Sequence, residues 1–329
     1  MRGSPRGNAW VILVDKPEGW TSYDVVRAAK RSFGGKIGHA GTLDPFATGL
    51  LILLTGQATR ISSILMDLPK EYLATAKLGA VSTTGDPTGE VSVTGMSVGG
   101  ADVIRALERF RGPIRQKVPM TSAVKVGGER LYEKARRGEV VETPEREVMV
   151  YDAVLVRFDE GEQTADLLFR TGKGTYIRRL VEDIGAEAGA GAYTLRLRRL
   201  SIGTFKVDRA LPAASLEAAP SFETGRHSEA ARFGRTVEPG LSRAVMPVAQ
   251  ALDFLPEYFA SGREEKRAAN GNELRGALPE GRFRVTGAEG LLAVYEKIGD
   301  VARPIAVFPE PQASTAAPQG EAASQGDTV

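Results

Sequence analysis

Two neighbouring segments, residues 148–158 and 164–170, alternate apolar with polar side chains across a short polar connection. A period of two is typical of strands with one buried face, and so short a connection permits only antiparallel pairing. Further strands are predicted at 10–14, 71–79, 91–94 and 195–205. Helices, in which apolar residues recur every three to four positions, are predicted at 23–32, 101–110, 131–137 and 176–188. The pattern predicts a chain whose strands build a sheet, with helices between them in the sequence.

The composition excludes several classes of protein. Hydrophobic residues make up 42% and charged residues 26% of the 329 positions, a mixture typical of folded globular chains. The chain has no cysteine and only two histidines, His39 and His227, which excludes disulfide scaffolds, thiol nucleophiles and cysteine- or histidine-rich metal sites. The longest apolar runs, at 9–14 and 50–54, are far shorter than the roughly 20 residues that span a bilayer. We therefore expect a cytoplasmic protein without a membrane segment.

The length of the chain favours a large domain followed by a small one. The large domain is expected over residues 1–250, with a flexible connection at about 212–245 that is poorly ordered near 221–240, where Ala, Pro, Ser and Glu accumulate. Short apolar strands between glycine-bearing turns predict a small β-rich domain at 251–308. Residues 309–329 contain no large apolar residue before the terminal valine, and a disordered tail is predicted there.

The net charge of +2 conceals two strongly basic segments. Residues 105–137 contain ten Lys or Arg against three acids, a net charge of +7. Residues 170–206 contain eight against three, a net charge of +5. Such segments favour a nucleic acid as partner, and a solvated basic face is the alternative interpretation.

Residues 36–49 have no clean period and are rich in glycine and proline, so a loop is predicted there. Loops of this kind often carry functional residues. Within the loop Asp44 precedes Pro45, and an Asp-Pro pair taken alone is an ordinary turn signal. The longer string at 38–51, GHAGTLDPFATGLL, closely resembles the catalytic motif of the TruB-type tRNA pseudouridine synthases.

Other segments agree with this family in order and spacing, over roughly residues 10–210. They are DKPEGWTS at 15–22, KEY at 70–72, VPMTSAVK at 118–125, GTYIR at 174–178 and RRL at 198–200. The chain departs from the family at Thr121, where tyrosine is usual. The resemblance implies the pseudouridine synthase fold, an α+β fold with a mixed, largely antiparallel sheet and flanking helices. It also implies a basic insertion at about 101–145 that closes on RNA, and a small β-rich, PUA-like RNA-binding domain at the C-terminal end.

The resemblance also implies a reaction, the isomerisation of a uridine in the T loop of tRNA (position 55) to pseudouridine after the base is flipped out. The glycosidic bond is broken and the base is reattached through C5 without a redox step, so no cofactor and no metal are expected. Asp44 would be the catalytic carboxylate, and Arg178 its ion-pair partner, which lowers its pKa. Tyr72 would stack on the base and accept the C5 proton.

Six further residues would bind substrate according to the resemblance, namely Lys16, His39, Arg130, Arg136, Tyr176 and Leu200. Lys16 either orients the catalytic loop or contacts phosphate. Tyr72 and Tyr176 each have an alternative interpretation as core residues, and His39 has one as a brace for its own loop.

Two alternative functions stay open at this point. One is a non-catalytic tRNA-binding folding chaperone, and the other is a related synthase that acts on ribosomal RNA or on guide-RNA-directed sites. The intact Asp44, Tyr72 and Arg178 argue against the first, and the basic insertion favours tRNA over the second. We expect a monomer that binds the T arm of tRNA and needs no obligate protein partner.

Overall fold

The computed structural model describes residues 9–122, 124–139, 141–218 and 241–312. The chain divides into two compact units, Met1–Val245 and Met246–Val329. The residues near 221–240, for which the sequence predicts poor order, lie outside the described residues. In the described ranges, no helix is long and apolar enough to cross a membrane.

The first unit is built around one sheet with helices beside it. Its strands are β1 (Trp10–Lys16), β2 (Ile37–Ala40), β3 (Thr48–Thr55), β4 (Lys70–Leu78), β5 (Ala80–Ser82), β6 (Val91–Val93), β7 (Gly112–Lys117), β8 (Lys125–Val126), β9 (Glu129–Arg130), β10 (Glu145–Asp159), β11 (Thr164–Thr171), β12 (Ala192–Ile202), β13 (Phe205–Lys206) and β14 (Leu211–Pro212). Its helices are α1 (Ser22–Phe33), α2 (Ser62–Asp67), α3 (Gly100–Glu108), α4 (Leu131–Arg136), α5 (Ile177–Ala188), α6 (Ser215–Ala218) and α7 (Leu241–Ala244), and β15 (Val245–Pro247) follows at the boundary.

The strand order of the main sheet is β14-β1-β3-β12-β4-β11-β10-β7, with β2 beside β3 and β13 beside β12. The β1–β14 and β3–β12 pairs are parallel. The remaining pairs along this path are antiparallel. The predicted mixed, largely antiparallel sheet with flanking helices is therefore confirmed.

Helices α3 and α5 bury their apolar faces against this sheet. Leu180 and Ile184 of α5 pack with Val103 and Leu107 of α3 and with Phe169 of β11 in one buried cluster. Each such side chain contributes roughly 1.5–3 kcal/mol when it is fully buried. The packing fixes the first turn of α5 relative to β4 and β12, where the cavity described below lies.

Two of the predicted element boundaries are wrong. Ile37–Ala40 forms strand β2 within the predicted loop, because its backbone pairs with β3. This short edge strand buries only its two end residues, so its sequence shows no usable period. The loop that remains is residues 41–47. The strand predicted at 195–205 runs from Ala192 to Ile202, and the chain then turns back as β13.

The predicted basic insertion at 101–145 is too long. Helix α3 belongs to the core, since Val103, Ala106 and Leu107 are buried, and β7 pairs with the edge of β10. The part outside the sheet is residues 118–144, which we call the 118–144 insertion. Its described residues form the β8–β9 hairpin and α4.

The second unit is a small β-rich fold, as predicted. Its elements are α8 (Val248–Ala251), β16 (Glu257–Phe259), α9 (Gly262–Ala269), β17 (Leu274–Arg275), β18 (Gly281–Gly287), β19 (Gly290–Ile298) and β20 (Val301–Gln312), and its strand order is β16-β18-β19-β20-β17. Phe283 and Tyr295 stack in its core with ring centroids 6.1 Å apart. Strand β20 continues to Gln312, opposite Leu291, four residues into the predicted tail. Residues 313–329 lie outside the described residues.

One close backbone contact joins the loop at 41–47 to the centre of the sheet. Gly49, the second residue of β3, pairs with Arg199 of β12. Its φ is +102°, and a Cβ placed there would lie 2.3 Å from the Arg199 carbonyl oxygen. Only glycine allows both this φ and this approach.

Replacing Gly49 by alanine should therefore destabilise the first unit strongly. The positive φ alone costs about 1–3 kcal/mol for a residue with a Cβ, and the clash with the Arg199 backbone adds to this. Gly112→Ala is a matched control, because the φ of Gly112 is +90° and no described atom lies within 4 Å of the added methyl group. Thermal unfolding should show a clearly larger loss of Tm for Gly49→Ala, and equal losses in the two variants would contradict the importance of the close approach.

Candidate active site

A cavity of about 850 Å³ lies beside loop 41–47, between β4, β12 and the first turn of α5. The side chains that matter for its chemistry are Asp44, Tyr72, Tyr176, Arg178, Leu197 and Arg199, all of which line it. The structure therefore brings together the three residues that the sequence analysis expects to be catalytic, although they are far apart in the chain.

Asp44 and Arg178 form an ion pair at the wall of the cavity. The Arg178 Nε atom lies 3.0 Å from Asp44 Oδ2. The arginine side chain is only 4% exposed, whereas that of the aspartate is 36% exposed. Because Asp44 lines the cavity, this exposure leaves its carboxylate accessible to a molecule bound there.

A second carboxylate, Asp86, holds Arg178 from the other side. Arg178 Nη1 donates to Asp86 Oδ2 at 3.0 Å. Thr84 and Thr88 donate through their hydroxyls to the other oxygen of Asp86, and the Thr88 amide donates to it at 3.0 Å. The sequence analysis assigned no role to Asp86. The run of threonines around a buried aspartate in a glycine-rich turn was the available signal.

The pKa of Asp44 is raised above its usual range, because burial of its carboxylate outweighs the neighbouring charges. Arg178 lowers this pKa, as expected, and Asp86 adds to the increase. The expectation that Arg178 lowers this pKa overall is wrong, because the effect of burial exceeds that of the arginine and a second carboxylate lies nearby.

Arg199 holds both ends of the loop that carries Asp44. It is 1% exposed, and its guanidinium donates to the carbonyl of Leu50 at 2.7 Å and to that of Gly41 at 2.9 Å. The sequence analysis quoted Arg199 in a motif without a role. An arginine buried against backbone carbonyls has no sequence signal of its own, since its partners are about 150 positions away.

Lys16 is fully buried and orients the same loop. Its ammonium donates to the carbonyls of Trp20 at 2.7 Å, Pro17 at 2.8 Å and Pro45 at 3.2 Å. Burial lowers the pKa of Lys16 to about 8. Of the two interpretations of this residue, the structure supports the orientation of the loop, because a buried ammonium cannot reach a phosphate.

The two predicted tyrosines both line the cavity. Tyr72 projects from β4 and is mostly buried. Tyr176 precedes α5, and its backbone is fixed by Gln116, whose side chain accepts from the Tyr176 amide at 2.8 Å and donates to its carbonyl at 3.1 Å. Both rings are therefore positioned for contact with a bound planar group.

Besides Lys16, four of the predicted substrate-binding residues are not among the described residues that line the cavity. Leu200 is one of them, and the leucine of β12 that lines the cavity is Leu197. Successive strand residues face opposite sides, so the choice of Leu200 in the RRL motif selected the wrong leucine.

His39 and the two arginines complete this group of four. His39 lies on β2, and its pKa is lowered by burial and by Arg199, which favours the neutral ring. Its Nδ1 atom is buried without a hydrogen-bond partner among the described residues. Arg130 and Arg136 lie in the 118–144 insertion, where their guanidinium carbons are 5.9 and 5.5 Å from the centre of the Tyr132 ring.

Within the described part of the chain, no cluster of three or more His, Asp or Glu side chains is arranged to hold a metal ion. The arrangement at the cavity thus consists of a carboxylate, an arginine that spans two carboxylates, and two aromatic rings.

Comparison with solved structures shows the fold. The structure of an archaeal box H/ACA sRNP Nop10-Cbf5 complex contains a chain that superposes with a TM-score of 0.66 at 22% identity. The superposition covers 93% of this chain and 88% of that one. Together with the strand order of the main sheet, this confirms the pseudouridine synthase fold.

Comparison with sequences shows the family. The family model described as TruB family pseudouridylate synthase (N terminal domain) matches residues 28–177. The tRNA pseudouridine synthase B of Ralstonia pickettii is 38% identical over 290 residues, which are 86% of each chain. That of Pseudomonas fluorescens is 43% identical over 260 residues, 78% of this chain and 83% of the relative. The chain therefore belongs to the TruB family of pseudouridylate synthases.

Proposed function

We propose that this protein is an isomerase that converts a uridine in the T loop of tRNA, position 55, to pseudouridine. The observation that carries the proposal is the Asp44 carboxylate, which is held by buried Arg178 and accessible from a cavity lined by two tyrosines. The relatives of this chain from Ralstonia pickettii and Pseudomonas fluorescens are named tRNA pseudouridine synthase B.

The reaction requires the glycosidic bond from N1 of uracil to break and a bond from C5 to C1′ of the ribose to form. The proton leaves C5, and N1 gains one. We assign to Asp44 the attack or charge stabilisation that allows the first bond to break, with Oδ2 held by Arg178 and Oδ1 left for the substrate. The enclosing walls keep the detached base in place between the two steps.

We assign the remaining roles at the cavity to three side chains. Tyr72 stacks on the flipped base, and its hydroxyl accepts the C5 proton. Tyr176 packs against the base from the first turn of α5, and Leu197 supplies an apolar wall. Lys16 and Arg199 act indirectly, through the carbonyls of loop 41–47 and its flanks.

The 118–144 insertion and its neighbours supply cations for the RNA backbone. Half of the ten basic residues between 105 and 137 have a carboxylate within 4 Å, namely Arg105, Arg109, Arg111, Lys134 and Arg137. Arg130 and Arg136, for which the described residues provide no such carboxylate, flank Tyr132 and are exposed. We assign phosphate contacts to these two arginines.

The further parts of the proposal concern the whole chain. We assign the β-rich second unit to RNA binding as a PUA-like domain, and we expect a cytoplasmic monomer that acts without a protein partner. The non-catalytic chaperone is not favoured, because Asp44, Arg178 and Tyr72 are present and assembled at one cavity.

The direct test is to incubate the purified protein with an unmodified tRNA transcript and to map pseudouridine at each uridine. We expect a single product at position 55 of the T loop. A tRNA that remains unmodified, or modification confined to ribosomal RNA, would contradict the proposal.

Replacing Asp44 by asparagine should reduce the single-turnover rate by about a thousandfold or more while RNA affinity stays close to that of the wild type. Asp159→Asn is a matched control, because Asp159 is also 36% exposed and paired with an arginine, but lies at the end of β10 outside the cavity. Substantial turnover by Asp44→Asn would show that another group carries the chemistry.

The same variant should be at least as stable as the wild type at pH 7. The folded-state pKa of Asp44 is raised, so its ionised form costs stability above that pKa, and a neutral side chain removes the cost. The difference in Tm should shrink as the pH falls below the folded-state pKa and disappear only toward about pH 3, under the unfolded-state pKa of about 3.9, where the carboxyl is protonated in both states. A Tm well below that of the wild type at pH 7 would contradict the raised pKa.

Neutralising Arg130 and Arg136 together should flatten the salt dependence of RNA binding. Each lost phosphate contact reduces the slope of log K against log salt by roughly 0.7–0.9, so the double Arg→Gln variant should lose about 1.4–1.8. The control is Lys134→Gln with Arg137→Gln, which removes the same charge from the same helix region, where Glu129 and Glu139 already pair with both cations. Equal slope changes in the two double variants would mean that only net charge matters.

A further inference from the structure

Thr121 reaches from the start of the 118–144 insertion to the arginine of the cavity. Its hydroxyl accepts a hydrogen bond from Arg178 Nη1 at 2.6 Å, and its carbonyl accepts a longer one from Nη2 at 3.4 Å. Thr121 also lines the cavity. The family usually has tyrosine here, and a tyrosine hydroxyl, at the far end of a ring, could not occupy the place of a threonine hydroxyl.

The Nη1 atom of Arg178 has more hydrogen-bond acceptors around it than its two protons can satisfy. Nη1 carries two protons and faces three acceptors, which are the Thr84 carbonyl at 2.9 Å, Asp86 Oδ2 at 3.0 Å and Thr121 Oγ1 at 2.6 Å. The first two belong to the turn after β5, whereas Thr121 approaches from the insertion. The group is thus held from two sides, and its Nε atom lies 3.0 Å from Asp44 Oδ2.

Backbone hydrogen bonds link the residue after Thr121 to the surface where Arg130 and Arg136 lie. The Ser122 carbonyl accepts from the Tyr132 amide at 3.0 Å, and the Val124 carbonyl accepts from the Leu131 amide at 2.8 Å. Leu131 is fully buried and anchors the start of α4. A segment that would contact RNA phosphates is therefore hydrogen-bonded to the immediate neighbour of the residue that touches Arg178.

We infer that Thr121 is a positioning residue. Its hydroxyl holds the Arg178 guanidinium in the orientation in which it pairs with Asp44, and this orientation therefore depends on the docking of the 118–144 insertion. The inference rests on the proposed function for its effect on turnover, but its effect on the Asp44 carboxyl can be measured without substrate. It concerns a side chain that departs from the usual residue of the family.

The test compares Thr121→Val, which removes the hydroxyl at nearly constant shape, with Thr121→Ser, which keeps it. Losing a hydrogen bond to a charged group should slow the single-turnover rate at saturating RNA by about tenfold or more in Thr121→Val, with RNA affinity nearly unchanged. Thr121→Ser should retain most of the rate. The matched control is Thr171→Val, since the hydroxyl of buried Thr171 has no hydrogen-bond partner among the described residues.

A second readout is the titration of the Asp44 carboxyl by NMR in the free protein. Arg178, Asp86 and Lys16 are the charged groups that face it, and Arg178 is the strongest influence that favours ionisation. If Thr121 holds Arg178 in place, the carboxyl should titrate at higher pH in Thr121→Val, and near the wild-type pH in Thr121→Ser and Thr171→Val.

An unshifted titration in Thr121→Val would overturn the inference whether or not the protein modifies tRNA. Equal rates and titrations in the valine and serine variants would do the same, since the hydroxyl would then have no effect. A wild-type protein that fails to form pseudouridine, with the titration shift present, would instead contradict the proposed function and leave the positioning role of Thr121 supported.

Discussion

The buried guanidinium of Arg178 is the group on which the rest of the site depends. It contacts Asp44 at 3.0 Å and Asp86 at 3.0 Å, and each contact uses a different nitrogen of the same planar group. A lysine ammonium is a point charge and could not fix both directions at once. Because α5 is packed into the core of the first unit, the orientation of the Asp44 carboxylate follows from the packing of the sheet and its helices.

The buried charges around loop 41–47 and Arg178 nearly balance, with an excess of one cation. Lys16, Arg178 and Arg199 are almost completely buried, beside the two carboxylates of Asp44 and Asp86. Lys16 and Arg199 bond to backbone carbonyls of the loop instead of acids, so their hydrogen bonds orient the chain. Burying so many charges costs stability, as is common where a fold must hold reactive groups ready. Arg178 and, more weakly, Lys16 oppose the effect of burial, which nevertheless raises the pKa of Asp44 and favours its protonated carboxyl.

Strand alternation and the local motifs can both be recognised from residues that are close in the sequence. Together they predicted the fold class, and the resemblance carried by the motifs implied that Asp44, Tyr72 and Arg178 meet. The sequence could not reveal the function of Arg199 or the correct leucine of β12, since these depend on which face of a strand points to the cavity. It also missed β2, a four-residue edge strand whose pairing with β3 leaves no period. The role of Asp86 was hidden for a related reason, because its arginine partner lies 92 positions away.

Counting charges along the chain also overstates the cationic surface of the first unit. Several partners of the basic residues between 105 and 137 lie outside that range, such as Glu187, which pairs with Arg109, and Asp152, which lies near Arg111. Two of the cations for which the described residues provide no carboxylate partner, Arg130 and Arg136, flank the ring of Tyr132, whose amide donates to the carbonyl of the residue that follows Thr121. The surface proposed to bind RNA and the arginine that contacts Asp44 are therefore joined by a single short segment. In the proposed function, contact with RNA and the alignment of Asp44 are two consequences of how that segment docks.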